Sequence, residues 1–320
     1  MTNLKYSNYL KDKNFNIKYN YYQLFKKIEK KYNKLKEKYP YSLLFYDIKF
    51  KEIIFFKKET LFKIENRIAE QSEKVLGFRK NIKEEIKTIF NYEGNNQRKK
   101  ITPFFTKNFN FRTCFYCNKD FINNFEEDTD KLVSTFQLDH FYDKGTYPYL
   151  ALSFYNLIPS CPTCNSSKVK GSKNTFTHDS NVGRYKNETC LSPNDKKFDF
   201  HNKVKFKLFL DKDSKHLQIK SKDDLEIPLK EQFTNDYDKY IEVFKLNERY
   251  KAHKDIVYDM IQKAELYPES RLKELENLTG IPFQQIKKDI FNLIDKNEDL
   301  SKKPFSKLIK DISEELGLTK

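Results

Sequence analysis

Two Cys-x-x-Cys pairs constrain this chain more than any other feature of its sequence. The first pair is Cys114 and Cys117, the second is Cys161 and Cys164, and the 43 residues 118–160 lie between them. Four thiolates suit a tetrahedral Zn²⁺ ion. Because the intervening segment is longer than in a simple zinc ribbon, we expect a folded element between the pairs. The alternative is four unlinked core cysteines.

The charge balance suggests a polyanionic partner. The chain has 61 Lys and Arg against 46 Asp and Glu, a formal net charge of +15. This surplus suits nucleic acid, although a coding bias toward Lys, Asn, Ile, Phe and Tyr would also produce it. The sequence has no apolar run of about 18 residues, so it predicts no membrane span. Without a secretory signal, we expect a cytoplasmic protein whose paired cysteines bind metal.

Pattern changes along the chain predict three domains. Residues 1–100 are rich in lysine and have helical periodicity, so we expect a helical N-terminal domain. This region carries no recognisable catalytic motif. Residues 101–190 hold both cysteine pairs and short alternating runs. Residues 191–320 form the third predicted domain.

The third domain is predicted to begin with strands and to continue as helices. Residues 203–210 and 216–221 alternate apolar and polar side chains around a polar turn, which predicts a β-hairpin. Proline at the first turn and glycine at the end mark several of the helices that follow. The predicted helices cover 240–267, 271–280, 282–295 and 304–317.

The segment between the cysteine pairs holds an Asp-His dipeptide. Asp139 and His140 follow an apolar run, and neighbouring residues of a strand point to opposite faces. One can therefore hold a metal while the other faces a substrate. Such a dipeptide alone is more often an ordinary surface pair. Here it is followed by Asn156, and then by Asn165 and Lys168 directly after the second cysteine pair.

The order of these motifs resembles the HNH endonuclease family, in its zinc-knuckle branch. The likeness covers residues 111–170, about a fifth of the chain, and rests on the runs FYC, LDHF and NLIPSCPTCNSSK. It implies an α+β fold: a mainly helical chain with a central ββα-metal core that is stapled by a zinc site of four cysteines. The implied activity is metal-dependent hydrolysis of phosphodiester bonds.

The resemblance also implies roles for four residues. His140 maps to the general base, which a neutral imidazole can perform near pH 7. Asp139 maps to a ligand of the catalytic Mg²⁺ or Mn²⁺, and Asn165 completes that site in place of the commoner histidine. Asn156 maps to the asparagine that holds the catalytic loop by hydrogen bonds to backbone.

Further residues are candidates for contact with nucleic acid. Lys168 lies one helical turn beyond Asn165 and could pair with a backbone phosphate; the alternative is a solvated lysine. His178 is a candidate third metal ligand or phosphate contact, and Arg184 lies in the same segment. Cys190 stands apart and is expected to be a buried or free thiol.

Two C-terminal runs are similar to helices of HNH nuclease subunits in Septu and retron antiphage systems. They are residues 244–257 and 304–312. This likeness implies a role in antiviral defence and an ATPase partner subunit. Double-stranded DNA is the expected substrate. The alternatives are an RNase of the same fold and a catalytically silent, zinc-stabilised module that binds nucleic acid.

Overall fold

The computed structural model of this 320-residue chain describes most of its length. The described residues are 2–38, 45, 47–70, 76–127, 131–175, 178–179, 184–185, 191–214, 218–295 and 297–319. Over these ranges, the structure contains no helix that is both long enough and apolar enough to cross a bilayer.

Helices and small antiparallel strand pairs make up the described chain, which agrees with the predicted α+β class. The α-helices are α1 Ile17–Gln23, α2 Lys26–Lys38, α3 Phe50–Ile54, α4 Lys58–Glu70, α5 Leu76–Ile89, α6 Thr102–Asn108, α7 Pro162–Asn165, α8 Phe200–Lys203, α9 Asp238–Val243, α10 Leu246–Lys251, α11 Lys254–Leu266, α12 Glu269–Thr279, α13 Phe283–Phe291 and α14 Ser306–Glu315.

The strands are short, and each pairs with one other strand. They are β1 Asn124–Glu127, β2 Lys131–Ser134, β3 Gln137–His140, β4 Leu157–Ser160, β5 His178–Asp179, β6 Arg184–Tyr185, β7 Val204–Phe206, β8 Phe209–Leu210, β9 Leu225–Glu226 and β10 Leu229–Glu231. The antiparallel pairs are β1 with β2, β3 with β4, β5 with β6, β7 with β10, and β8 with β9.

The chain divides into two compact units. The first contains Met1–Asn3, Arg112–Phe121 and Asp199–Lys320, and the second contains Leu4–Phe111 and Ile122–Phe198. This grouping differs from the three predicted domains. The lysine-rich N-terminal helices belong to the same unit as the Asp-His dipeptide, because they pack against the segment that carries it.

Aromatic side chains join the N-terminal helices to the β3–β4 loop within the second unit. Phe105 stacks on Phe154 with ring centroids 5.3 Å apart, and Tyr21 meets Phe154 edge-on at 5.0 Å. The Tyr21 hydroxyl donates a hydrogen bond of 3.1 Å to the Leu152 carbonyl. Aromatic pairs of this kind contribute about 0.5–1.5 kcal/mol each beyond their buried area. The loop that joins the two strands is therefore held from the N-terminal side.

A buried asparagine organises the first unit. Asn118 has a positive φ of 53°, and its side-chain amide donates to the Leu300 carbonyl at 2.7 Å. Its side-chain oxygen accepts from the Ser306 hydroxyl at 3.1 Å and from the Lys307 N–H at 2.9 Å. The last of these bonds satisfies a main-chain amide in the first turn of α14, where a helix provides no carbonyl partner. The turn that follows the first cysteine pair is thus anchored to the C-terminal helix.

The predicted C-terminal hairpin exists with a different second strand. β7 and β8 pair with strands inside residues 225–231 rather than with 216–221, of which 216 and 217 lie outside the described residues. Ser221 and Asp224 cap each other and start a short 3₁₀ turn. Because this local capping uses their backbone groups, the chain pairs as a strand only after the turn.

The predicted helix over 240–267 is three helices, α9, α10 and α11. The first break falls at Lys245, which has a left-handed φ of 49°. Phe244, just before the break, is buried and stacks on Tyr116 with centroids 4.2 Å apart. Packing therefore overrides the continuous helical pattern. By contrast, Gly280 ends α12 in the left-handed conformation that the sequence predicts.

Candidate functional site

The four paired cysteines form one cluster. All four side chains are buried, and their sulfur atoms lie within 4.8 Å of one another. A tetrahedral zinc site with Zn–S bonds of about 2.3 Å has sulfurs about 3.8 Å apart. Small side-chain adjustments would therefore bring this set to the geometry of a zinc site. The cluster fits a metal such as zinc, as predicted for Cys114, Cys117, Cys161 and Cys164.

Local turns present the sulfurs of each pair. The Asn118 N–H donates to the Cys114 carbonyl at 2.8 Å, which closes the first turn. In the second pair, Cys161 is the N-cap of α7, and its sulfur accepts from the Cys164 N–H at 3.4 Å. Pro162 occupies the first helical position, where its missing N–H costs nothing. The sequence C-P-T-C thus builds its own helix start.

The second cysteine pair follows directly on strands β3 and β4. Asp139 pairs with Ile158 and His140 with Leu157 in the antiparallel register. The short helix α7 comes next, so the chain runs strand, strand, helix. Asp139 and His140, whose side chains the sequence predicts on opposite faces of the strand, are both among the residues that line one cavity.

Asn156 holds the loop between the two strands. Its side-chain oxygen accepts from the Tyr142 N–H at 2.8 Å, and its amide donates to the Tyr142 carbonyl at 2.9 Å and to the Leu150 carbonyl at 3.2 Å. The Phe141 N–H donates to the Asn156 main-chain carbonyl at 2.9 Å. Asn156 is fully buried. These bonds fix the backbone directly after His140.

The surroundings of His140 set its tautomer and its charge. Nε2 lies 2.9 Å from the Ala151 carbonyl. Since a carbonyl can only accept, Nε2 carries the proton, and the neutral ring has its lone pair on Nδ1. The Tyr92 ring packs edge-on at 4.5 Å. Burial lowers the pKa of His140 to about 4, so the ring is neutral at pH 7.

A buried lysine contacts Asp139. The ammonium of Lys170 lies 3.1 Å from Oδ1 and 3.0 Å from Oδ2 of Asp139, and it donates to the His140 carbonyl at 2.7 Å. Both charged side chains are almost fully buried. The sequence analysis singled out Lys168 instead, which is exposed in the turn after α7. The predicted phosphate contact of Lys168 stays a prediction.

Asn165 lies at the end of α7 and lines the same cavity as Asp139. Its amide nitrogen donates to Gln137 Oε1 at 2.8 Å, which fixes the orientation of the amide group. The site thus offers a carboxylate and an amide carbonyl. Oxygen donors of this kind fit Mg²⁺ or Mn²⁺ rather than zinc, which prefers sulfur and nitrogen. The two predicted ligands of the catalytic metal therefore line the same cavity.

The cavity has a volume of about 580 Å³. It is polar, with charges of both signs. Lys144 donates to Glu93 at 2.9 Å and lies 5.4 Å from the centroid of the Tyr92 ring. The residues that line the cavity are Tyr92, Glu93, Gly94, Gln97, Arg98, Leu138, Asp139, His140, Asp143, Lys144, Asn165, Ser167 and Gly171.

The residues that line this cavity from the N-terminal region are not predicted from the sequence. Tyr92, Gln97 and Arg98 come from a region in which we expected no chemistry. Gln97–Ile101 is a π-helical turn that runs into α6. Such turns are rare and are found frequently at functional sites. A signal was present in the sequence, since the basic run QRKK (97–100) lies at the predicted domain boundary.

Three further candidate residues lie wholly or partly outside the part of the chain that the structure describes. His178 and Arg184 lie on the paired strands β5 and β6, where His178 is opposite Tyr185 and Arg184 is opposite Asp179. The structure describes their backbone, not their side chains. Cys190 lies outside the described residues. The roles assigned to these residues stay predictions.

No protein-family model, no curated protein and no solved structure matches this chain.

Proposed function

We propose that the protein is a metal-dependent HNH-type endonuclease that hydrolyses phosphodiester bonds of DNA. One observation carries the proposal. Asp139, His140 and Asn165 line a single cavity, while Asn156 holds the backbone directly after His140. Asp139 and His140 are adjacent in the sequence, whereas Asn156 and Asn165 come later in the chain, and the contacts of all four are compatible with the roles proposed for them.

His140 is the proposed general base. Its Nε2–H is committed to the Ala151 carbonyl, which leaves the Nδ1 lone pair to take a proton from water. Because burial keeps the ring neutral at pH 7, no deprotonation is required before it acts. The Tyr92 ring and the fixed loop restrict rotation of the imidazole, so the base is oriented in advance.

Asp139 and Asn165 would hold the divalent cation. A bound Mg²⁺ or Mn²⁺ supplies charge stabilisation at the phosphate and the leaving oxygen. Arg98 and Lys144 add positive charge to the same cavity and are candidates for binding the substrate phosphate. The formal net charge of +15 supports nonspecific, salt-sensitive affinity for the backbone.

The four-cysteine cluster is compatible with the same function, since its second pair directly follows β4 and starts α7. We propose that zinc occupies it. A role in antiviral defence, with an ATPase partner subunit, belongs to this proposal as its biological setting. It rests on the C-terminal runs 244–257 and 304–312.

One contact favours a second candidate function. The ion pair with Lys170 neutralises Asp139, and a neutralised carboxylate attracts a metal less. The chain would then be a zinc-stabilised module that binds nucleic acid without cutting it. The intact set of Asp139, His140, Asn156 and Asn165 argues for the nuclease.

A cleavage assay tests the proposal. Supercoiled plasmid and a structured RNA are each incubated with the full chain and Mg²⁺ or Mn²⁺, with EDTA as the blank. Metal-dependent nicking of plasmid supports the proposed function. Cutting of RNA alone would replace DNA by RNA as substrate. Binding of either without any cutting would favour the silent module and contradict the proposal.

A further inference from the structure

Lys170 is buried, and removing its charged ammonium from water costs free energy. Its side chain is 1% exposed and that of Asp139 is 3% exposed. A lysine is rarely buried this far unless it is paired, and a buried pair recovers its desolvation cost only with good geometry and further hydrogen bonds. Lys170 meets both conditions, since it contacts both oxygens of Asp139 and also the His140 carbonyl.

A second buried Lys–Asp pair shows what a purely structural pair looks like. In the first unit, Lys307 pairs with Asp311, and Asp311 also accepts from Lys205 at 3.2 Å and from the Phe206 N–H at 2.9 Å. That carboxylate is surrounded by donors of the protein. Asp139 differs, because it lines the cavity that His140 and Asn165 share.

The contact has an electrostatic consequence for metal binding. The ammonium cancels the one negative charge of the proposed Asp139–Asn165 ligand set, since Asn165 is neutral. A divalent cation on Asp139 would lie within a few ångströms of the ammonium, and like charges at that distance repel strongly in a protein interior. Mg²⁺ also needs about six oxygens, of which these two residues supply few.

We propose that Lys170 is a positioning residue that neutralises Asp139 in the free protein and so couples divalent-metal binding to binding of a phosphodiester backbone. This inference rests on the proposed function. The substrate phosphate supplies both negative charge and oxygen ligands, so metal and nucleic acid bind together rather than in sequence. Linkage requires the effect to be reciprocal: metal tightens nucleic-acid binding by the factor by which nucleic acid tightens metal binding.

The first test is Mn²⁺ binding to the zinc-loaded full chain without nucleic acid, measured by titration calorimetry. Lys170→Met removes the ammonium and retains the length of the side chain. We expect Mn²⁺ to bind at least about tenfold more tightly than to the wild type. Lys173→Met is the matched control, since Lys173 is exposed and the one described contact of its ammonium is with the Val169 carbonyl, at 3.1 Å. Equal or weaker binding by Lys170→Met would overturn the inference.

The second test measures the coupling and does not need Lys170→Met to fold. In a His140→Ala background, which leaves the DNA uncut, the affinity for a short duplex is measured by fluorescence anisotropy with and without Mn²⁺ at fixed ionic strength. The same measurement on the Asp139→Asn variant gives the change in affinity that comes from Mn²⁺ bound to the DNA alone. This change is subtracted from that of the protein with Asp139. We expect a gain of at least about tenfold that needs Asp139. No Asp139-dependent gain would overturn the inference.

The two proposals fail in different ways. If the wild type never cuts nucleic acid with any divalent metal, the proposed function is wrong. If the wild type cuts normally but Lys170→Met leaves the Mn²⁺ affinity unchanged, the proposed nuclease function is retained and the proposed role of Lys170 is wrong.

Discussion

The cysteine cluster and the cavity around His140 gather polar groups in two different ways. In the cluster, four identical side chains each offer one sulfur, and all are buried within 4.8 Å of one another. In the cavity, Asp139 is engaged by Lys170, and Asn165 is held by Gln137. The cluster can supply a complete tetrahedral shell, whereas Asp139 and Asn165 would supply only part of an octahedral one. We infer a tightly held structural metal in the first and an exchangeable metal in the second.

The largest effect is expected from breaking the cluster. Cys161→Ser removes one of four thiolates and also the sulfur that caps α7. Since structural zinc contributes about 10–16 kcal/mol of apparent binding free energy in small zinc domains, we expect loss of zinc and of cooperative unfolding. Elemental analysis and thermal denaturation measure both. Cys190→Ser is the control and is expected to keep its zinc; a Cys161→Ser protein with full zinc content would contradict the assignment.

The next largest effect is expected at the proposed base. His140→Ala should lower the cleavage rate by about 10²–10⁴-fold, the usual share of general base catalysis. Zinc content and nucleic-acid affinity should stay as in the wild type, because His140 is buried and is not one of the four clustered cysteines. His201→Ala is the matched control, since His201 is paired with Asp199 in the first unit. A His140→Ala rate within a few-fold of wild type removes His140 from the mechanism.

A smaller effect separates the two metals. Asp139→Asn keeps the shape of the side chain and an oxygen for Lys170, but removes the charged ligand. We expect the Mg²⁺ concentration for half-maximal cleavage to rise by at least about tenfold, with zinc retained. Asn165→His, which introduces the commoner ligand of the HNH family, should stay active. The prediction is wrong if Asp139→Asn responds to Mg²⁺ as the wild type does.

The smallest effect concerns stability in acid. His140 has a folded-state pKa of about 4, below the unfolded value near 6.5. Between these values the unfolded chain binds a proton that the folded chain does not, so stability falls as pH decreases through this window. At pH 5 the penalty is about 2 kcal/mol.

Urea unfolding at pH 7 and pH 5 checks this figure. The difference between the two pH values should be smaller in His140→Gln by about that amount, and comparison at equal pH cancels the protonation of the cysteines. Asp139, Lys144 and Lys170 stay in both proteins, so their charges cancel as well. Equal pH dependence in the two proteins would show that His140 is not buried as a neutral ring.

The cysteine cluster and part of the cavity could be predicted from the sequence. Cysteine spacing is a local, specific signal, and the four sulfurs do come together. Asp139, His140, Asn156 and Asn165 were found through the order of motifs around them. Arg98 and Tyr92 were not, because they reach the cavity only through the packing of the N-terminal helices. Lys170 has no distinguishing signal in the sequence among the many lysines, since only its burial beside Asp139 sets it apart.

The helices show the same limit. Glycine at position 280 is a local stop signal, and α12 ends there. The pattern over 240–267 is continuous, yet the chain breaks at Lys245 because Phe244 packs inward. Local signals were readable from sequence, whereas breaks that depend on tertiary contacts were not.

The order in which the two metals leave tests the central claim most directly. Purified protein is treated with mild EDTA, and plasmid nicking, zinc content and far-ultraviolet circular dichroism are measured on the same sample. The account predicts that nicking stops while zinc and helix content are unchanged, and that added Mg²⁺ or Mn²⁺ restores it. Undiminished nicking in EDTA with zinc still bound would contradict the account, because the exchangeable metal would then play no part in cleavage.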